Sequence, residues 1–297
     1  MRYKIDGEFL ITADESGREK MKSHLVQKHG MINHSIIARS ILSRPIEAYF
    51  IGEGKRGITV LASHHALESI TTNVAFLLID YILQKSKEGR INDVDCKMLL
   101  SKYSFWIVPC VNPDGVELRI NGVSDSLLRE RQMRLSGGDF TSWQANARGV
   151  DLNHNYDHRF AEYKQIEAEK GIVPGPTLYS GEYPESEPET RGVANFIRTL
   201  MPSAVVSLHT QGEEIYYQPK GKRISRLAER LAKACGYSLA EPEGTAAYGG
   251  LADYCGSLGI PSFTLELGNG KNPLPEADVP RIFSQIREAI ALLPILL

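Results

Sequence analysis

The chain has 297 residues, 42% of them hydrophobic and 24% charged, with a formal net charge of −2. Those values describe a soluble globular protein with enough apolar residues for one large core, and the scattered Lys and Arg exclude the electrostatic footprint of a nucleic-acid or anionic-membrane binder. No uninterrupted apolar run approaches membrane-spanning length, and Met1 to Glu8 lacks the features of an export signal, so no membrane partner and a cytoplasmic location are expected.

One domain over 1–297 is expected, with 1–35 as a short N-terminal extension. In that extension Glu19 to Gln27 reads as a short helix, and His24, His29 and His34 read as solvated. Ala48 to Gly52 and Ile58 to Ala62, separated by Gly-rich punctuation, read as paired strands joined by a turn. Val74, Leu77, Leu78, Tyr81 and Ile82 recur at helical spacing and predict a core helix over Ile70 to Gln84. Phe105 to Val111 is a buried strand closed by the turn Asn112-Pro113-Asp114-Gly115. Asn121 to Trp143 is loop-like, with a short helix at Leu127 to Arg134. Gly149 to Asp157 is dense in short polar side chains of the kind that make Asx turns.

Residues 157–185, broken by Val173-Pro174-Gly175-Pro176, read as a long exposed excursion near the site. A helix follows over Glu187 to Leu200, with Ser186 as N-cap and Pro188 in the first turn. Ala204 to His209 is a strand ending in histidine, Ile224 to Cys235 an amphipathic helix stopped at Gly236, and Val279 to Leu297 an apolar-faced closing helix. Pro261 to Leu267 is an apolar strand that carries Glu266 where a buried strand normally holds an apolar side chain. Strands and helices alternate throughout, which makes the fold class α/β. Cys96, Cys110, Cys235 and Cys255 lie far apart without Cys-x-x-Cys spacing and read as buried free thiols.

The chemistry concentrates at strand ends. His65 and Glu68 stand three residues apart just after the Gly57 to Ala62 strand, where open α/β folds bind ligands. A bare His-x-x-Glu is equally read as polar surface at a helix start. His209 ends a second strand and Glu266 lies on a third, so two imidazoles and one carboxylate complete a zinc triad. The spare carboxylate is then the natural general base.

His65-Ala66-Leu67-Glu68, Asn112-Pro113-Asp114-Gly115, Gly149-Val150-Asp151-Leu152-Asn153, Ser186-Glu187-Pro188-Glu189-Thr190, Leu208-His209 and Phe263-Thr264-Leu265-Glu266 together resemble the ordered signature of the zinc carboxypeptidase (metallocarboxypeptidase) family, over most of the chain. The resemblance implies an α/β/α sandwich on a mixed, mostly parallel central sheet. It implies one zinc ion per chain on His65, Glu68 and His209, Glu266 as general base, and Asp151 as the carboxylate that orients the first zinc histidine.

The departures bear on the substrate. Family exopeptidases grip a terminal carboxylate with an Asn-Arg pair, and the matching pair here is Asn153-His154, a poorer carboxylate clamp than a guanidinium. The family's transition-state arginine falls on Gln144, with Arg148 nearby as a substitute, and Tyr248 directly precedes Gly249-Gly250 instead of standing a few residues earlier as the family's mobile tyrosine does. Trp143 to Asn153 and His209 to Tyr217 are most similar to the bacterial branch that cleaves γ-D-glutamyl-diaminopimelate bonds in peptidoglycan stem peptides. That branch implies a muropeptide partner, with Arg148, His154 and Glu213 as substrate contacts. An ordinary metallocarboxypeptidase, an N-acyl amino acid deacylase and a silent peptide-binding module are the alternatives, and the sequence leaves oligomeric state open.

Overall fold

The structure is a computed structural model that describes residues 3–123 and 127–297, so 124–126 of the stretch read as loop-like, and Met1 and Arg2, fall outside it. Eight strands form one sheet: β1 (His34–Arg39), β2 (Pro45–Ile51), β3 (Arg56–Ala62), β4 (Tyr103–Val108), β5 (Ala204–His209), β6 (Glu214–Gln218), β7 (Ser238–Leu239) and β8 (Ser262–Glu266). Their spatial order is β1-β2-β4-β3-β5-β8-β6-β7. The central run β4-β3-β5-β8 is parallel, while β1–β2, β2–β4 and β8–β6 are antiparallel.

Strands β3 and β5 are buried along nearly their whole length, as expected of parallel strands covered on both faces. Ile58, Val60, Ala204, Val206 and Leu208 pack into one apolar layer with Val74, Leu78, Leu227 and Ile286 from the helices Ile70–Glu88, Lys222–Cys235 and Val279–Ala291. Leu61 and Val205 point the other way, onto Val193 and Ile197 of helix Pro188–Leu200 and Tyr254 of helix Leu251–Ser257. This alternation makes the three-layer α/β/α sandwich, and all four cysteines are buried and unpaired.

Several local expectations change on folding. β2 and β3 are not partners: β4 lies between them, because the chain leaves β3 through helix Ile70–Glu88 and returns parallel to it. Asn112-Pro113-Asp114-Gly115 opens a helix (Pro113–Asn121) instead of closing a turn, with the Asn112 side chain accepting the Gly115 N–H at 3.0 Å and Pro113 in the first turn. The N-cap of helix Pro188–Leu200 is Glu187, and the Ser186 hydroxyl is spent on Glu187 and Asn155. The closing helix stops at Ala291 and restarts over Leu293–Leu296.

The described N-terminal residues are not a separate extension but contribute to the core. Phe9, Met21 and Leu25 are fully buried, the latter two on helix Glu15–His29, whose first turn is capped by Asp14 at 2.7 Å from the Gly17 N–H. His29 is not solvated: its Nε2 lies 2.7 Å from buried Asp80, which also takes Lys28 at 2.9 Å and the Tyr3 hydroxyl. His24 is largely covered and pairs with Asp6 at 2.9 Å, leaving His34 as the most exposed of the three. Nor is 157–185 an open excursion. It holds helix Phe160–Lys170, with Tyr163 and Glu167 buried and the Tyr163 hydroxyl donating to Leu178 at 2.7 Å.

Three buried carboxylates meet where the 40s loop crosses the start of helix Pro188–Leu200. Asp114 is matched by Arg44 at 3.0 Å and Glu187 by Arg148 at 3.0 Å. Glu189, fully buried, receives the Ile41 N–H at 3.2 Å and has the Asn146 amide at 3.5 Å, with no paired cation among the described residues. Burial, reinforced by Asp114 and Glu187, pushes its pKa from 4.5 up to about 8. Between those values the native state holds a proton that the unfolded chain has released, so stability falls as pH rises through the window and the loss is complete above the upper value. Glu189→Gln is therefore expected to flatten the decline in thermal unfolding temperature between pH 5 and 8.5, gaining on the order of a few kcal/mol over the parent at the alkaline end. Parallel pH profiles for the two proteins would contradict the assignment.

Candidate metal centre and active site

The site lies at the carboxyl ends of three adjacent parallel strands. Register pairs Ala62 of β3 with Leu208 of β5, and His209 of β5 with Glu266 of β8, so residues distant in sequence emerge side by side. At the end of β3 the chain turns sharply at Ser63, which takes a positive φ of 52°. Its N–H donates to the Thr71 hydroxyl at 2.9 Å, and its own hydroxyl contacts Thr71 and Thr72 at 3.0 and 2.9 Å. Asn112 fixes the next residue by donating to the His64 carbonyl at 3.0 Å, and the Gln144 carbonyl accepts the Ala66 N–H at 2.9 Å. One 3₁₀ turn, Ala66–Glu68, then brings Glu68 back beneath His65.

His65 Nδ1 lies 2.9 Å from one Glu68 carboxylate oxygen and His209 Nδ1 lies 3.0 Å from the other. One donor atom from each of the three residues falls within 4.8 Å of the others. Asp151 approaches the far side of His65, with Oδ1 at 3.2 Å from Nε2, and its other oxygen accepts the Leu178 N–H at 3.1 Å. Because a carboxylate can only accept, the Asp151 contact places the proton of a neutral His65 on Nε2. The Nδ1 lone pair then faces a Glu68 oxygen, and two acceptors at that distance need positive charge between them.

The electrostatics agree. Burial opposes protonation of His65, yet Glu68 and Asp151 hold its pKa well above the ordinary imidazole value. Burial likewise works to raise Glu68, and His65 and His209 overcome it, taking Glu68 down to about 2. A divalent cation satisfies the same demand with neutral imidazoles, and two His with one Glu is a donor set suited to zinc that leaves a coordination position open. The residues present fit that ion. Behind them, His64 is fully buried with Nε2 at 2.9 Å from the Tyr156 hydroxyl, and its ring lies nearly parallel to His209 at 5.7 Å. Burial, with His209 and His65 beside it, keeps His64 well below the ordinary value and hence neutral. This packing partner carried no signal in the sequence beyond its place next to His65.

Residues 19–289 match the zinc carboxypeptidase family. The chain belongs to that family. It is 33% identical over 258 residues to the γ-D-glutamyl-L-diamino acid endopeptidase 1 of Lysinibacillus sphaericus, covering 84% of this chain and 64% of the relative. It is 30% identical over 169 residues to the murein peptide amidase A of Escherichia coli K12, covering 54% of this chain and 56% of the relative. The chain thus spans less than two thirds of the length of either of these relatives. Among solved structures, bovine thrombin-activatable fibrinolysis inhibitor, in complex with a tick carboxypeptidase inhibitor, superposes with a TM-score of 0.73 at 22% identity over 97% of this chain and 98% of that one. A murein-tripeptide amidase from Escherichia coli O157 gives 0.55 at 21% identity over 91% and 94%. At those identities the structures show the carboxypeptidase fold.

Within this family fold, one cleft is lined by His65, Glu68, His209, Glu266, Asn153 and His154. Glu266 is partly exposed there, and burial together with the Glu68 charge lifts it to about 7, against the opposing pull of His209. The remaining candidates do not line this cleft. Arg148 is tethered to Glu187 at 3.0 Å and to the Ser186 carbonyl. Glu213 is paired with Arg281 and with Gln285 at 3.2 Å. The Gln144 side-chain oxygen accepts the Thr177 hydroxyl at 2.7 Å. Tyr248 lies beneath the Arg159 guanidinium, 4.2 Å from its ring centroid, and offers its backbone carbonyl to His154.

The cleft also holds residues that sequence reasoning missed: Asp253, Gln218, Tyr216 and Thr264. Only the spacing of Asp253, three residues after the Gly249-Gly250 pair, could have flagged one of them. The role of Asp151 is testable through the metal alone. Asp151→Asn is expected to weaken zinc affinity about 10- to 100-fold in competition with a chromophoric chelator, and an unchanged affinity would remove Asp151 from the site.

Proposed function

We propose that this chain is a zinc-dependent peptidase that hydrolyses the γ-D-glutamyl-diaminopimelate bond of peptidoglycan stem peptides. The observation that carries the proposal is the meeting, in one cleft, of a His-Glu-His metal set, a separate carboxylate of raised pKa, and a histidine where the family's exopeptidases hold a carboxylate-gripping arginine. The names of the Lysinibacillus and Escherichia relatives support the same substrate class.

Zinc held by His65, Glu68 and His209 would supply a Lewis acid that polarises the substrate carbonyl and makes water a stronger nucleophile near neutral pH. Glu266 takes the proton from the attacking water on its carboxylate and returns it to the leaving nitrogen. Glu266 shares the cleft with the His-Glu-His set without belonging to it, the placement that both halves of that transfer require. Asp151 keeps His65 in one tautomer and orientation. Asn153 and His154 orient the residue that carries the leaving nitrogen.

Incubating zinc-loaded protein with L-Ala-γ-D-Glu-diaminopimelate and with an all-L peptide of free C-terminus, with products identified by mass spectrometry, is expected to release diaminopimelate from the first and leave the second intact. Cleavage of the all-L peptide alone would return the chain to ordinary carboxypeptidase specificity. In the same assay Glu266→Gln is expected to bind zinc with unchanged stoichiometry while losing about 10²- to 10⁴-fold in kcat. Full activity in that variant would remove Glu266 as the base.

A further inference from the structure

Two neighbouring side chains of the cleft present opposite hydrogen-bonding character to the substrate. The Asn153 side-chain oxygen is occupied by the Leu251 N–H at 3.2 Å, which leaves its amide nitrogen as the free group, a donor. His154 Nδ1 lies 2.9 Å from the Tyr248 carbonyl oxygen. A carbonyl can only accept, so Nδ1 carries the proton. The ring is buried and stacks flat on Tyr163 at 4.2 Å and 11°, and burial keeps its pKa below the ordinary value despite the charge of Asp151. Neutral and protonated on Nδ1, it has an Nε2 that offers a lone pair, and among the described residues Nε2 has no partner.

Around this pair the cleft contains no Lys or Arg among the described residues that line it. It does contain Asp253, whose carboxylate accepts from Gln218 at 3.2 Å. The cations that flank the cleft in sequence are paired elsewhere: Arg148 with Glu187, Arg159 with Glu162 at 2.7 Å, and Lys220, over the Tyr217 ring at 4.0 Å, with Glu241 at 2.7 Å. A free carboxylate entering here would meet one donor, one lone pair and the Asp253 carboxyl. An amide would meet a complement: its C=O accepts from Asn153 and its N–H donates to His154.

We propose that Asn153 and His154 form a subsite that reads the carboxyl group of the leaving residue, on the carbon bearing the scissile nitrogen, in its amide form. The amide is that of a peptide continuing beyond the leaving residue, or a primary carboxamide. The proposal rests on the peptidase reading above and makes the enzyme one that cuts within a longer stem. Asn153 and His154 are then the specificity determinants of that cut, and the loss of an arginine at His154 is what admits the extended chain.

The test compares L-Ala-γ-D-Glu-diaminopimelate as the free acid with the same peptide amidated at that one carboxyl, on zinc-loaded protein. It also titrates both into the Glu266→Gln protein by calorimetry. We expect the amide to be favoured at least about tenfold in kcat/KM, mainly through KM, and to bind correspondingly tighter to Glu266→Gln. His154→Gln, which keeps a hydrogen-bond acceptor, should preserve the preference, and His154→Arg, which offers only donors, should reverse it. Because the comparison on the unmutated chain needs no substitution, misfolding of either variant leaves it decisive. A free acid cleaved as well as or better than the amide overturns this inference and leaves the peptidase reading standing. Cleavage of neither, with all-L peptide cleaved instead, overturns both.

Discussion

The active centre depends on one buried carboxylate shared between two imidazoles. Glu68 is only 4% exposed, and its oxygens lie 2.9 and 3.0 Å from His65 and His209. Taking such a charge out of water costs several kcal/mol unless it is closely matched, so each partner must arrive in position for the others to be tolerable. Asp151 extends the requirement outward, since it sets which nitrogen of His65 faces Glu68. The strained corner at Ser63 and the Asn112 bonds to the backbone around His64 are the means by which the fold holds this arrangement in place.

The sheet explains why the arrangement is possible at all. Adjacent parallel strands deliver their carboxyl ends to one edge, and β3, β5 and β8 are neighbours there although they end at Ala62, His209 and Glu266, far apart along the chain. The hydrolytic groups stand on these strand ends or on the single turn that follows β3. The candidate substrate-facing groups stand on the turn 151–156 and on the stretch 248–253 that leads into helix Leu251–Ser257, braced against each other by the His154 contact to Tyr248 and the Asn153 contact to Leu251. The candidate metal ligands and base thus stand on different elements from the candidate recognition residues.

The recognition half is also where charge is most tightly accounted for. Arg148, Arg159 and Lys220, which flank the cleft in sequence, are held by Glu187, Glu162 and Glu241. The buried Glu189 beside Glu187 stays neutral because no third cation reaches it.

Some of this was legible before folding because it is local. His65 and Glu68 are three residues apart, β3 and β5 are continuous apolar runs, and the helices Ile70–Glu88 and Lys222–Cys235 show their periodicity directly. The α/β class follows from such short-range patterns, whereas the α/β/α sandwich was implied by the resemblance of six ordered motifs to the zinc carboxypeptidase family. Tertiary structure alone decided the rest. It inserted β4 between β2 and β3, tied helix Glu15–His29 to the core through Asp80, and paired Arg148 with Glu187 and Glu213 with Arg281. It also set the proton of His154 through a carbonyl 94 residues away. A side chain's spacing reports the element it belongs to, whereas its charge state, tautomer and direction are set by partners that only the closed fold brings within hydrogen-bonding distance.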